Sequence, residues 1–272
     1  MPTKRIVLIG DLHCGHRAGL TPPDWRFREC SNEHVWKKFT RVQAECWRNY
    51  MDIARKLRKV DCLVVNGDCI DGRGEKSGGV ELITGDRNEQ CKMAVDCIDV
   101  WNAKEIVLTE GTGYHCGEIE SWEHIIAEML LAKGYAVKIG AHEWIDVNGY
   151  VFDVKHHVGS SSVPYGRVTP SGKDEVWNAV WAEAGLQPRA NMIVRSHVHY
   201  CVGGYRYVGG KKREFMTLPA LQAMGTRFGA RRCSGTVDWG VVAFDVDTKG
   251  HICQRHEYVK TIASTVAKVH RV

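Results

Sequence analysis

Short apolar, β-branched runs punctuate this chain. In its first half they alternate with segments whose apolar residues recur every three or four positions. The run at 4–10 predicts a buried strand. A loop over 11–30 holds Pro22-Pro23, Trp25 and several arginines, and Ser31 then suits the cap of a helix over about 32–59. That helix carries Val35, Phe39, Val42, Cys46, Tyr50, Ile53 and Leu57 along one face. A strand at 61–66, a helix at about 88–103, a strand at 105–109 and a helix at about 119–132 follow, the last stopped by Gly134. Then the pattern changes. Residues 143–147 and 150–155 flank Asn148-Gly149, which predicts a hairpin. A helix over about 173–184 leads to a strand at 191–195. The runs 200–208, 213–218, 239–246 and 251–259 read as further strands. Trp177 and Trp181, four apart, predict a helix stripe that faces the core. One domain over 1–272 fits this order, with two packed sheets, outer helices, and insertions near 71–88 and 221–236.

Composition narrows the picture. The chain has 272 residues, 44% apolar and 25% charged, which suits a sizeable core and excludes a disordered or membrane-embedded class. No apolar run reaches the ~18 residues that cross a bilayer. Met1 to Arg5 lead straight into the first strand without the basic, apolar and small-residue regions of a signal peptide, so a cytoplasmic protein is expected. The eleven cysteines are odd in number and form no Cys-x-x-Cys pair, which predicts reduced, mostly buried thiols. A formal charge of +5 permits an anionic substrate without by itself indicating nucleic acid.

The chemistry lies where the strands end. Asp11-x-His13 follows Ile6-Val7-Leu8-Ile9. Asp68, with Asp71, follows Leu63-Val64-Val65, and His115 stands just past Ile106-Val107-Leu108. His156-His157 follows Val151-Phe152-Asp153-Val154, and His197-x-His199 follows Met192-Ile193-Val194. One Asp or His after a strand is usually a surface turn. Five in succession describe strand ends converging on one site. Carboxylates and imidazoles gathered without cysteine suit a hydrolytic metal centre, and Mn, Fe, Zn and Ni all accept such donors.

Gly10-Asp11-Leu12-His13, Asn66-Gly67-Asp68-Cys69-Ile70-Asp71-Gly72, Gly111-Thr112-Gly113-Tyr114-His115, His156-His157 and Ser196-His197-Val198-His199 resemble the ordered motifs of the calcineurin-like metallophosphoesterases. The resemblance runs from about residue 4 to 200. It is nearest to phage and prophage members in which Gly-Thr-x-x-His replaces Gly-Asn-His. It implies an α/β fold, a four-layer α/β/β/α sandwich of two mixed β-sheets flanked by helices. It also implies two divalent metal ions. Asp11, His13 and His199 would hold one, Asp68 would bridge both, and His197 with His156 or His157 would hold the second. The family's histidine comes as the strand ends, which favours His156. The implied reaction is hydrolysis of a phosphate ester by in-line attack of a metal-bridging hydroxide, with a histidine, here His115, protonating the leaving group. Host cytoplasm is the implied location for a phage-type member.

The third motif departs from the family. Thr112 stands where an asparagine binds the second metal, and His115 lies two residues further on than the family's acid. Either His115 supplies the missing ligand and is not the acid, or water or Glu118 fills the gap. Thr112 reads as a turn residue or a donor behind the ligands, and Asp71 as a loop or cap residue. The favoured substrate is a phosphodiester, in nucleic acid or a nucleotide. The rivals are a phosphomonoester, including phosphoprotein, and a non-catalytic protein-binding module on the same fold. Arg73, Arg227 and Arg231 are candidate phosphate contacts; a solvated loop is the competing reading for each.

Overall fold

The computed structural model describes residues 2–26, 33–117, 121–225 and 237–264. Its strands are β1 (Lys4–Ile9), β2 (Cys62–Asn66), β3 (Glu105–Thr109), β4 (Ala136–Gly140), β5 (Glu143–Val147), β6 (Tyr150–Val154), β7 (Met192–Arg195), β8 (Val202–Val208), β9 (Lys211–Thr217), β10 (Trp239–Val246) and β11 (Ile252–Lys260). Its helices are α1 (Glu33–Lys56), α2 (Arg87–Asp99), the single turn α3 (Gly113–Cys116), α4 (Trp122–Ala132) and α5 (Thr169–Glu183).

The strands form two mixed sheets, ordered β11-β10-β1-β2-β3-β4 and β5-β6-β7-β9-β8. Alternation along β1 shows how they stack. Ile6 and Leu8 point between the sheets, where they join Val64, Phe244, Phe152, Val194 and Met216. Val7 and Ile9 point the other way, into a core made with Phe39 and Tyr50 of α1, Met93 and Ile98 of α2 and Ile126 of α4. The second sheet carries α5 on its outer face; Phe215 of β9 lies under Gly172. Helices, sheet, sheet and helix give the four-layer α/β/β/α sandwich that the sequence predicts. No helix among the described residues is long and apolar enough to cross a membrane.

Three elements differ from expectation. Strand β4 was not anticipated, because an edge strand of five residues with only Val137 and Ile139 turned to the core gives too short an alternation to stand out. Helix α2 stops at Asp99, and Asn102 turns the chain with a φ of +44°. Trp177 and Trp181 do not face the core: they are 50% and 42% exposed. The reason lies beneath α5. Buried Arg195 reaches Asp153 (2.7 Å) on β6 and Asp174 (2.8 Å) on α5, and Glu175 pairs with Arg189 (3.2 Å) and Arg206. A buried charge requires such partners, so the polar residues of α5 face inward and its apolar ones outward.

Candidate metal centre

The C-terminal ends of β1, β2, β6 and β7 meet at one place. Gly67 and Asp68 extend β2, and the backbones of the two loops are tied together by Asp11 N to Gly67 O (3.1 Å), His13 N to Asp68 O (3.0 Å) and Cys14 N to Cys69 O (3.0 Å). Asp11, His13, Asp68, His197 and His199 all have positive φ, between +46° and +72°. Side chains avoid that region, and a non-glycine residue stays there only when its surroundings hold it. Gly67, at φ +71°, also needs to lack a side chain: a Cβ would lie 2.5 Å from His156 Nδ1.

Three groups of potential ligands result, each with its donor atoms within 4.8 Å of one another: His13–Asp71–His115, and the pair Asp11–His13–His199 and Asp68–His156–His197. They adjoin: Asp11 Oδ1 is 3.1 Å from His199 Nε2 and 4.0 Å from His156 Nε2, while Asp68 Oδ2 is 3.1 Å from His156 Nε2. His13 Nε2 and His199 Nε2 face each other at 3.2 Å.

What lies behind the rings decides what they can do. His156 Nδ1 donates to Asn66 O (2.7 Å), a carbonyl that only accepts, so it is Nε2, aimed at the carboxylates, that gains or loses the ring's second proton. His13 Nδ1 donates to Asp71 Oδ1 (3.0 Å), which leaves its Nε2 in the same state. Tying off one ring nitrogen and aiming the other is how proteins prepare imidazole for a metal. Asp11 Oδ1, His156 Nε2 and His199 Nδ1 are buried without a hydrogen-bond partner in the described structure. Carboxylate oxygens and imidazole nitrogens packed this closely out of water, met only by one another, fit divalent cations bound by Asp11, His13, His199, Asp68, His156 and His197.

Electrostatics agree. Burial works against the charge on Asp11 and Asp68, yet the imidazoles around them hold both carboxyls below the ordinary range, Asp68 well below. His156, against the pull of burial, is raised to about 10 by Asp68. Burial also opposes charge on His199, but Asp11 raises it. His197 falls to about 4 through burial and the charge of His156. Two carboxylates out of water need counter-charge. The raised proton affinity of His156 and His199 answers that need, and divalent cations would supply the same counter-charge at the same atoms.

The remaining predicted residues fall into place unevenly. His157 is exposed and lies against the ring of His197 (centroids 4.8 Å apart), outside all three groups. Thr112 donates to Asp68 Oδ1 from its N–H (2.8 Å) and its hydroxyl (3.1 Å), which makes it a hydrogen-bond support of that carboxylate. His115 packs edge-on to His13 (4.6 Å) and donates from Nδ1 to Asp71 O (2.8 Å). Arg73 is exposed. Glu118, Arg227 and Arg231 lie outside the described residues. Sequence reasoning missed Asp71 as part of the site. It is neither an idle loop residue nor a helix cap: it is 6% exposed, held at a pKa of about 2 by His16 and His13 against the effect of burial, and it orients His13 and His115. Its place three residues after Asp68 was the available signal. Asn66 was missed as well; fully buried, it donates to Ser196 Oγ (2.8 Å) and Lys155 O (3.2 Å) and accepts from Thr109 Oγ1 (2.7 Å).

No protein-family model matches this chain, and no curated protein does. Solved structures do. An archaeal phosphodiesterase is 12% identical with a TM-score of 0.45, covering 94% of this chain and 99% of its own. The Thermus thermophilus sulfate thiohydrolase SoxB in complex with glycerol is 11% identical with a TM-score of 0.43, covering 96% of this chain. Purple acid phosphatase PPD1 from yellow lupin seeds is 8% identical with a TM-score of 0.43, covering 99% of this chain. This chain spans 57% of the length of each of the latter two.

Proposed function

We propose that this chain is a metal-dependent phosphoesterase of the calcineurin-like superfamily, a single domain with a dinuclear centre. The observation that carries the reading is the pair of adjoining carboxylate–imidazole groups, in which His13 and His156 have Nδ1 tied off and Nε2 aimed inward. Asp11, His13 and His199 would hold one cation and Asp68, His156 and His197 the other, with Asp68 positioned to serve both. Bound there, divalent ions supply Lewis acidity, withdrawing charge from phosphoryl oxygens and acidifying water.

The protein's own residues do the rest. Thr112 fixes the Asp68 carboxylate, so the aspartate need not reorganise when charge develops beside it. His115 is the proton donor to the leaving oxygen. Its Nδ1–H is held by the Asp71 carbonyl, which leaves Nε2 to carry and release a proton. On this reading His115 is the acid rather than a ligand, and the second cation would have three protein ligands. The third motif keeps the family's acid at a new spacing and gives up its neutral ligand.

A phosphodiester is the favoured substrate, in nucleic acid or a nucleotide. The donors around the carboxylates are imidazoles, backbone N–H groups and a threonine hydroxyl. A diester, with one negative charge per phosphate, asks less of such a rim than a monoester dianion. The charge of +5 and exposed Arg73 suit an anionic chain. Manganese is the first metal to test and cytoplasm the proposed location. Hydrolysis of bis-p-nitrophenyl phosphate should exceed that of p-nitrophenyl phosphate with Mn(II). A monoester preference overturns the choice of substrate. Failure to hydrolyse either with metal bound, under any of the four metals, overturns the enzyme reading.

A further inference from the structure

Helix α5 is built inside out. Its buried positions are Ser171, Glu175 and Asn178, whereas Val176 (46% exposed), Trp177 (50%), Val180 (50%) and Trp181 (42%) face solvent. The two indoles stack on each other, centroids 6.1 Å apart at 27°. Inward polarity is explained by the ion pairs with Arg195, Arg189 and Arg206; the outward stripe is not explained by anything among the described residues. We propose that a second copy of this chain packs on this face, the two α5 helices running antiparallel about a two-fold axis near Asn178.

The stripe is complementary to itself in that orientation and not in the parallel one. Antiparallel pairing sets Trp177 against the partner's Val180 and Trp181 against the partner's Val176, large against small, in a seam ~22 Å long for fifteen residues. Lys173 is exposed at the start of the helix and Glu183 at its end. Antiparallel packing brings opposite charges together at both ends, and parallel packing brings like charges together. Tyr165 (89% exposed), just before α5, and Leu186 (67%), just after it, extend the surface at opposite ends. Taking roughly 200 Å² for a whole large side chain, these six residues expose on the order of 700 Å² per copy, close to the ~800 Å² per partner of a stable interface. Nucleic acid and anionic membrane fit poorly. Between residues 169 and 183 one lysine faces Asp174, Glu175 and Glu183, so the helix offers neither a cationic groove nor a basic rim.

The test is the mass in solution of the full chain by light scattering and sedimentation, from micromolar to hundreds of micromolar. A particle of twice 30.6 kDa is expected. Trp177→Glu, and separately Val180→Glu should the first variant not fold, will give folded monomers that keep their metal binding, because α5 lies on the outer face of the second sheet. Lys173→Glu will weaken the dimer about tenfold, since two symmetry-related pairs turn repulsive, and Glu183→Lys added to it will restore the dimer. A monomeric wild-type chain over the whole range overturns the proposal. So does a dimer that survives Trp177→Glu or Val180→Glu, or a charge swap that fails to restore association.

Discussion

Replacing Asn66 by alanine should loosen the two strand ends that carry His156 and His197 while leaving every proposed ligand in the sequence. Asn66 spans the gap between the sheets. It is seated on β2, accepts from Thr109 on β3, and donates to the carbonyl of Lys155 and the hydroxyl of Ser196, each one residue before a proposed ligand. Asn66, Thr109 and Ser196 are all fully buried. Three hydrogen bonds at a net ~1 kcal/mol each set a base, and a stranded buried partner costs ~1–3 kcal/mol. A water entering the vacated space restores part of this, so the expected loss is about 3 kcal/mol. It should appear in urea unfolding of the metal-stripped protein at unchanged m. Titration with Mn(II) followed by calorimetry should show the second binding step weakened and the first nearly kept, because Asp11, His13 and His199 do not lean on Asn66. A stability loss under ~1 kcal/mol, or two metal affinities that fall together, would refute the role given to this residue.

His115→Gln should leave both metal affinities intact and lower kcat by about 10²–10⁴-fold for esters with poor leaving groups, but far less for p-nitrophenyl esters, whose leaving oxygen needs little protonation. A series of diesters graded in leaving-group pKa tests this, and an equal loss across the series would exclude His115 as the acid. Asp71→Asn, a change of one atom, removes the charge that fixes the His13 tautomer and should weaken metal binding at Asp11, His13 and His199 by about 10–100-fold; unchanged calorimetric titrations would show that the Asp71–His13 contact is incidental. Arg5 grips Asp245 with two bonds of 2.7 Å, and this hydrogen bonding lowers the Asp245 pKa. A carboxyl depressed in the folded state stabilises the protein above its unfolded pKa of about 3.9 and loses that contribution as pH falls through the folded value. The stability gap between wild type and Arg5→Ala should therefore be full near neutral pH and narrow as acid protonates Asp245 in the folded state; a gap unchanged by acid contradicts the linkage.

The alternation of apolar runs and three-to-four periodicity made most of the fold legible, because ten of the described strands and all four longer helices carry enough one-sided apolarity to imprint a period on the sequence. What escaped has a common physical cause. Strand β4 is a short edge with only Val137 and Ile139 half-buried against the core, too little apolar surface to stand out. Helix α5 carries the opposite polarity to a core helix, since its inner face answers buried Arg195 rather than apolar side chains. A hydrophobic period tells which face is apolar, and it tells which face is buried only when burial and apolarity coincide. The same distinction runs through the site. The proposed ligands were legible because each follows a strand end, four of them in the pairs Asp11-x-His13 and His197-x-His199, whose chemistry is unusual for a turn. Asp71 and Asn66 were not, because Asp and Asn after a strand are ordinary turn residues; only the atoms they touch, His13 Nδ1 in one case and Ser196 and Lys155 in the other, distinguish support from punctuation. Thr112 shows the converse. A substitution that reads in sequence as the loss of a ligand is, in space, a gain of two hydrogen bonds to Asp68, so the proposed second metal position would trade a donor for a stiffer carboxylate.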